Sequence, residues 1–568
     1  NISNIKYNPP ASRSGVCVSP DQYPAQEPFT AIGAKYHDEV LRRGADVEAV
    51  ELAYGADPYQ RIAIVAAEKP NGDVLVALHG GGWTNGYKEW MLFMAPALTA
   101  PIAWQEKNGA RHAIDVAYAL HDREYGFVLG DHDPSLPVVI DPLLQSTYLG
   151  GAAADHPLAM AIHPGTGEVY VAGRSLSAVF PGTAGGAQPA FAGGTADAFV
   201  ARLSADLTTL LQATYLGGNA NQEQAQSLLI HPLTGEVYVA GETFSNNFPG
   251  TVGGAQAAYG GGLRDAFVAR LSADLTTLLQ ASYLGGADQD GGYSIAHHPV
   301  SGEIYVAGLT DSLNFPATAG GAQPTNSSTL GSQEAFVARL NPALTVLNQS
   351  TYYGSFANEE VSNSLAVHPA TGEVYIAGQT DFAAPLPGTA GGAQATFGGG
   401  GADFFIVRFS ADLATTPQAT FLGANDTDGM GTYTFGDGVG RSLAIHATTG
   451  DIYVAGFTGS ANFPGTAGGA QTARAGMVDA FIARLNANLT TLTQATYLGG
   501  LNGDSINSLL VHPLNGEVYV AGTTAFSGFP ASAGGAAAFG GGVNDGFVAR
   551  LNAGLTALNQ STYFGGSG

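Results

Sequence analysis

The stretch Thr166-Gly-Glu-Val-Tyr-Val-Ala-Gly173 returns at Thr234–Gly241 and, with Ile for one Val, at Thr371–Gly378. The same words surround each copy in the same order. An apolar segment ending in His-Pro comes first (Ile162–Pro164, Ile230–Pro232, Val367–Pro369, Val511–Pro513). A word of the form F-P-G-T-x-G-G-A-Q follows, then D-A-F-V-A-R-L (Asp197–Leu203, Asp265–Leu271, with one Ile at Asp479–Leu485). A word of the form [SA]-T-Y-L-G-G completes the unit. It starts at Ser146, Ala213, Ala281, Ser350, Ala419, Ala495 and Ser561, at intervals of 67, 68, 69, 69, 76 and 66 residues. Six full units therefore run in series, and a seventh copy of the last word ends at Gly566.

Each word reads as a strand: five to eight residues rich in Val, Ile, Tyr, Phe and Thr, bounded by Gly, Pro, Asn and Asp. The P-x-T-G-E piece has hairpin-turn chemistry, with Gly free to take positive φ. Four strands per unit, repeated six times, predict a mainly β chain built as a β-propeller, one four-stranded blade per unit. A solenoid of all-β units is the competing arrangement. Small and large residues alternate in Y-V-A-G and F-V-A-R as stacked, twisted blades require, which favours the propeller. The surplus Y-x-G-G word is the expected closure strand, because an unpaired strand edge invites aggregation.

Composition excludes several classes. The 568 residues hold 80 Gly and only 12% charged residues, with 45% hydrophobic, unlike a disordered chain or a coiled coil. No apolar run is long enough to span a bilayer as a helix. A net charge of −25 argues against nucleic acid or an anionic membrane surface as partner. Cys17 is the single cysteine, so no intrachain disulfide and no cysteine-based metal cluster is expected. The three Trp (Trp83, Trp90, Trp104) and five Lys (Lys6, Lys35, Lys69, Lys88, Lys107) all precede residue 108. From Ser146 onward there are ten Arg, no Lys and 28 acids. That break predicts a domain boundary. The chain opens at Asn1 without a signal-peptide pattern, so either a leader has been removed or this is a piece of something longer.

The order Y-L-G-G, F-P-x-T-x-G-A-x-Q, G-G-x-x-D-A-F-V-A-R-L resembles the bacterial seven-bladed-propeller repeats known as SBBP repeats, over about 146–568. The resemblance implies a propeller of secreted or surface-attached bacterial proteins. Residues 101–145 look like the end of a β-rich domain that commonly precedes such repeats; with 146–151 they are expected either to supply a seventh blade or to form a separate β cap. The expected organisation is a segment 1–100, a β-rich adaptor 101–145, and propeller repeats 146–568.

Charged residues recur once per unit. An acid opens each E-V-Y-V-A-G strand (Glu168, Glu236, Glu303, Glu373, Asp451, Glu517), and an Arg stands near the end of each F-V-A-R strand (Arg202, Arg270, Arg339, Arg408, Arg484, Arg550). A second acid precedes the Phe (Asp197, Asp265, Glu334, Asp403, Asp479, Asp545). Bidentate pairing suits Arg better than Lys, so each Arg is expected to bond a carboxylate of its own or an adjacent blade. A central ring of carboxylates holding a cation is the sharper, less favoured reading. The His of each His-Pro word (His163, His231, His298, His368, His512, and His446 before Ala) is expected to bond loop backbone rather than metal, because no second ligand repeats beside it. The loops after Y-L-G-G carry further acids (Asp288, Asp290, Glu359, Glu360, Asp426, Asp428, Asp504), and the stretch Asn425–Gly429 among them reads as a solvated turn. Asn425–Gly429 lacks the distal Glu of a calcium loop, and Asp131-His132-Asp133 reads as an exposed turn. No metal site and no cofactor is expected.

Asp73–Leu78 runs into His79-Gly80-Gly81-Gly82-Trp83, preceded by Tyr54-Gly-Ala-Asp-Pro-Tyr-Gln-Arg61. These words resemble the start of an α/β-hydrolase of the H-G-G-G esterase and lipase type. The resemblance implies that the N–H groups at Gly80–Gly82 correspond to an oxyanion hole. The nucleophile elbow G-x-S-x-G occurs nowhere, and a hundred residues are too few to cover both faces of that fold's parallel sheet. The segment is therefore expected to be a catalytically silent remnant.

The favoured function is an interaction or scaffold protein, secreted or on the cell surface, whose long F-P-G-T-x-G-G-A-Q loops line one face and take a protein or surface glycan. An esterase using the His79–Gly82 motif with its nucleophile supplied elsewhere is the first alternative, and a self-assembling surface fibre is the second.

Overall fold

The computed structural model describes residues 146–564 apart from 328–331, 357–359, 382–384, 430–441, 514, 526–527, 531–538 and 540–543. Before residue 146 it describes the strands named below, with 130–133 and 136. The chain divides into two compact units, 1–144 and 145–568. The first unit contains an antiparallel meander of Ala49–Ala53, Arg61–Ala66 and Val74–Leu78. It also contains a three-stranded sheet of Ala110–Ile114, Ile102–Lys107 and Val138–Asp141, and a hairpin of Val116–His121 with Glu124–Leu129. Its described strands form no four-stranded blade.

The second unit is a six-bladed β-propeller without helix among the described residues. Blade one is an antiparallel meander of Asp155–Ile162, Val169–Ser175, Asp197–Leu203 and Leu210–Leu216. Blade two repeats it over Glu223–Leu284, blade three over Asp290–Tyr353, blade four over Glu360–Leu422, and blade six over Asp504–Phe564. In blade five the first strand is split into Asp428–Gly429 and Leu443–Ile445, where the insertion falls. The tight turns are as the residues require: Gly167, Gly235, Gly302, Gly372, Gly450 and Gly516 all take φ between +70° and +74°.

The core lies between sheets, not within them. One apolar cluster joins Tyr170, Ala172, Ala198 and Val200 of blade one to Leu228, Val237, Val239 and Phe267 of blade two. Equivalent clusters join two to three, three to four, four to five and five to six. The alternation read from the sequence explains them: Tyr and Ala of the second strand face the next blade, and the Val residues face the one before. Burying a large side chain there contributes roughly 2 kcal/mol.

The Gly of each Y-V-A-G word permits this packing. The first strand carries a one-residue bulge opposite it, between Ala225 and Ser227 in blade two. A Cβ on Gly241 would stand 1.9 Å from the Gln224 carbonyl oxygen, so only Gly fits.

Candidate functional site

Antiparallel register sets Tyr170 opposite Arg202 and Tyr238 opposite Arg270, which brings each Arg onto the acid two residues before the Tyr. Arg202 donates from Nε and Nη2 to Glu168 at 3.0 and 2.7 Å, and Arg270 does the same to Glu236. Arg408 meets Glu373 and Arg484 meets Asp451 through one carboxylate oxygen each. Arg339–Glu303 and Arg550–Glu517 approach to 3.8 Å. The guanidinium of Arg270 also lies over the Tyr238 ring, and that of Arg484 over Tyr453. The Arg bonds hold the Glu168 and Glu236 carboxyls below the usual range. These pairs are partly open to water, so each is worth about 1 kcal/mol, less than a buried pair.

The second acid of each unit does not join the Arg. Asp197 accepts from the Ala192 N–H, Asp265 from Gly260 and Asp403 from Gly398, in the loop before its own strand. Facing it across the seam is the acid that opens the next blade. Asp265 and Asp290 are both fully buried. A methyl on Gly285, the first Gly of the Y-L-G-G word, would stand 2.7 Å from both the Asp265 Cγ and the Asp290 Oδ2. Asp290 accepts from the Gly286 N–H and the Ser312 hydroxyl at 2.8 and 3.0 Å. Glu360 and Asp428 have equivalent Ser and Thr partners. Burial, the largest cause, raises Asp197, Asp265, Asp290, Asp403 and Glu360 to about 7 and Asp504 to about 6.

This corrects the expectation of a solvated turn at Asp428, and Asp290, Glu360 and Asp504 are likewise buried hubs at the seams. Glu359 lies outside the described residues, while Asp131 and His132 are exposed as expected. Among the described residues no group of three or more His, Cys, Asp or Glu could hold a metal ion.

The recurring His is placed in the turn. The Nδ1 of His163 accepts the Gly165 and Thr166 N–H groups at 3.1 Å, and those of His231, His298, His368 and His446 act likewise. On the other side Nε2 packs against the turn Gly of the next blade, as His163 does on Gly235.

A second correction concerns the F-P-G-T-x-G-G-A-Q word. It runs down the outer edge of its blade's fourth strand instead of lining an open face. The Ala213 N–H donates to the Gly182 carbonyl and the Tyr215 N–H to the Gln188 carbonyl, while the Gln212 amide donates to Gly182 and Ala184. Its tip then crosses to the next blade, where the Ala187 N–H donates to the Leu275 carbonyl at 2.9 Å. Ala255 to Leu344, Ala322 to Leu413, Ala393 to Leu489 and Ala470 to Leu555 repeat this latch. The word thus covers an edge that would otherwise pair with other chains. Each accepting Leu is buried and holds φ between +58° and +62°, a strained conformation kept by burial and by the latch.

The end of the propeller opposite the His turns is formed by the connections after Y-L-G-G and the last residues before each third strand. Thr195 and Asn221 bond there. These tips differ from blade to blade, and Leu263, Phe356, Met477 and Leu501 stand exposed on them. The His79–Gly82 motif lies outside the described residues.

The fold and these sites define a β-propeller whose recurring polar groups are scaffold. A family model described as a domain of unknown function, DUF7948, matches residues 96–143. No curated protein matches. Among solved structures, Sqt1 of Chaetomium thermophilum is 11% identical with a TM-score of 0.33, covering 73% of this chain and 87% of that one. Raptor of the same organism is 9% identical with a TM-score of 0.35, covering 73% of this chain and 25% of that one.

Proposed function

We propose that the propeller is a non-catalytic interaction scaffold acting outside the cell, and that it takes a protein or a surface glycan on the end carrying the variable loop tips. The observation that carries this reading is a division of labour. Groups that recur in every blade are consumed by ion pairs, turns and seams, whereas the loop tips opposite the His turns differ in length and sequence from blade to blade and carry the exposed Leu263, Phe356, Met477 and Leu501. Variable loops on a rigid frame are the usual arrangement of a recognition surface, and exposed Leu, Met and Phe are the groups such a surface buries.

The test is binding of the purified chain to glycan arrays and to surface extracts of its source cells. A variant carrying Ser at Leu263, Phe356, Met477 and Leu501 is expected to keep its circular dichroism and melting profile and to lose binding. Unchanged binding refutes the assignment of the face. Hydrolysis of p-nitrophenyl esters that disappears on Gly81→Pro, with labelling by a serine-directed phosphonate, refutes the absence of catalysis.

A further inference from the structure

The propeller repeats contain two Asn-Gly dipeptides, Asn502-Gly503 just ahead of the first strand of blade six and Asn515-Gly516 in the turn after it. Such a dipeptide invites one reaction. The backbone nitrogen of the Gly attacks the Asn side-chain carbonyl carbon, since no Cβ on the Gly shields that nitrogen. Ammonia leaves, a five-membered succinimide forms, and water opens the ring at either of its carbonyls. The product is an aspartyl residue or an isoaspartyl one, whose main chain runs through the former side chain and is one carbon longer. The step needs a nitrogen able to lose its proton and a side chain able to reach it.

The structure treats the two dipeptides differently. The Asn515 Oδ1 accepts the Glu517 N–H at 3.0 Å, and its Nδ2 donates to the Glu517 carboxylate at 2.9 Å. The Gly516 N–H donates to the His512 carbonyl at 3.0 Å, and Gly516 is held at φ +71°. Nitrogen and side chain are both engaged there. Asn502, by contrast, is exposed, and a Cβ on Gly503 would meet nothing within 4 Å. Neither the Asn502 amide nor the Gly503 N–H enters a hydrogen bond among the described residues.

Other blades show what the position tolerates. The residue two before the first-strand acid is Asn221 in blade two, Asp288 in blade three and Asp426 in blade five. Asn221 is followed by Gln222, and its Oδ1 accepts the Thr195 hydroxyl at 3.3 Å. Asp288 and Asp426 show that an aspartyl product fits. An isoaspartyl product does not. Its extra carbon falls inside the loop that Asp504 closes by accepting the Gly500 N–H at 2.8 Å. On either side of it the Asp504 N–H donates to the Val478 carbonyl at 3.0 Å, and the Ala525 N–H to the Gly503 carbonyl at 2.9 Å. The first of these bonds ties blade six to blade five, where Asp504 meets Asp479.

We propose that Asn502-Gly503 is a deamidation site, and that its isoaspartyl product loosens the seam between blades five and six. Asn515 carries the same dipeptide and is locked by its turn; Asn221 occupies the same place and is protected by its neighbour.

The test ages the full chain at pH 8 and follows the mass gain of deamidation at each Asn by peptide mass spectrometry with fragmentation. Enzymatic methylation of isoaspartyl carboxylates is the second readout. In the folded chain Asn502 is expected to react at least tenfold faster than Asn515 and Asn221. In urea Asn502 and Asn515 are expected to react alike, since only the fold separates them. Gly503→Ala, which the open space accommodates, is expected to slow Asn502 at least tenfold. Asn502→Asp is expected to keep the melting temperature, whereas the isoaspartyl fraction of the aged chain, isolated by chromatography, is expected to melt lower. Equal rates at Asn502 and Asn515 in the folded chain, or a rate indifferent to Gly503→Ala, overturn the assignment of the site. An isoaspartyl fraction that melts with the fresh chain overturns its effect on the seam.

Discussion

Replacing Asp265 by Asn is expected to stabilise the propeller, and to do so by more at pH 8 than at pH 5. Asp265 is fully buried, opposite Asp290, and burial raises its carboxyl from 3.8 to about 7. The folded value lies above the unfolded one, so the folded state holds its proton longer. The stabilising contribution is complete below pH 3.8 and is lost as pH rises toward about 7. The slope for one such group is about 1.4 kcal/mol per pH unit. Because the two acids of the seam titrate together, the penalty assignable to Asp265 at pH 8 is about 1–3 kcal/mol. Asn removes the charge, keeps an oxygen to accept the Gly260 N–H, and can donate to Asp290. Urea denaturation followed by near-ultraviolet circular dichroism at pH 5, 6.5 and 8 measures this. This window avoids the Glu168 and Glu236 pairs, whose lowered values bring a loss only in more acidic solution. An Asn variant that loses the same stability at pH 5 and pH 8 refutes the reasoning, because the carboxylate would then be a favourable partner at both.

Gly241→Ala is expected to cost about 3 kcal/mol or more, since its Cβ would meet the Gln224 carbonyl oxygen at 1.9 Å; Gly503→Ala, with nothing within 4 Å, is the near-neutral control by thermal melting. Tyr238→Phe leaves the Pro342 carbonyl without its donor and is expected to cost about 1 kcal/mol in equilibrium denaturation. Tyr519→Phe, at the equivalent position of blade six, the last blade, is expected to change stability by less than about 0.5 kcal/mol.

The blades were legible because strand words and turn chemistry are local: V-Y-V-A-G and its Gly turn need no distant partner to be recognised. The Arg–acid pairs were legible too, since antiparallel register converts a fixed spacing into a contact. The seam acids are not legible, because G-A-D-Q-D-G has the composition of a solvated turn, and what buries Asp290 comes from another strand and another blade. A signal was present in the Thr243-Phe-Ser245, Thr310-Asp-Ser312 and Thr458-Gly-Ser460 triplets, whose hydroxyls meet these acids. The F-P-G-T word reads as an open-face loop because its Gly and Pro content signals irregular backbone. Its Gln and carbonyl groups bind an edge that only the folded blade creates.

The latches run in one direction, each loop reaching from its own blade to the following one. Cohesion along the array therefore passes only between immediate neighbours, as in a zip fastener. Hydrogen exchange should be slowest in blades three and four and quicken toward both extremities, where a unit has a companion on one side alone. A nick in a central loop would divide the array into two shorter runs, each with an additional frayed end.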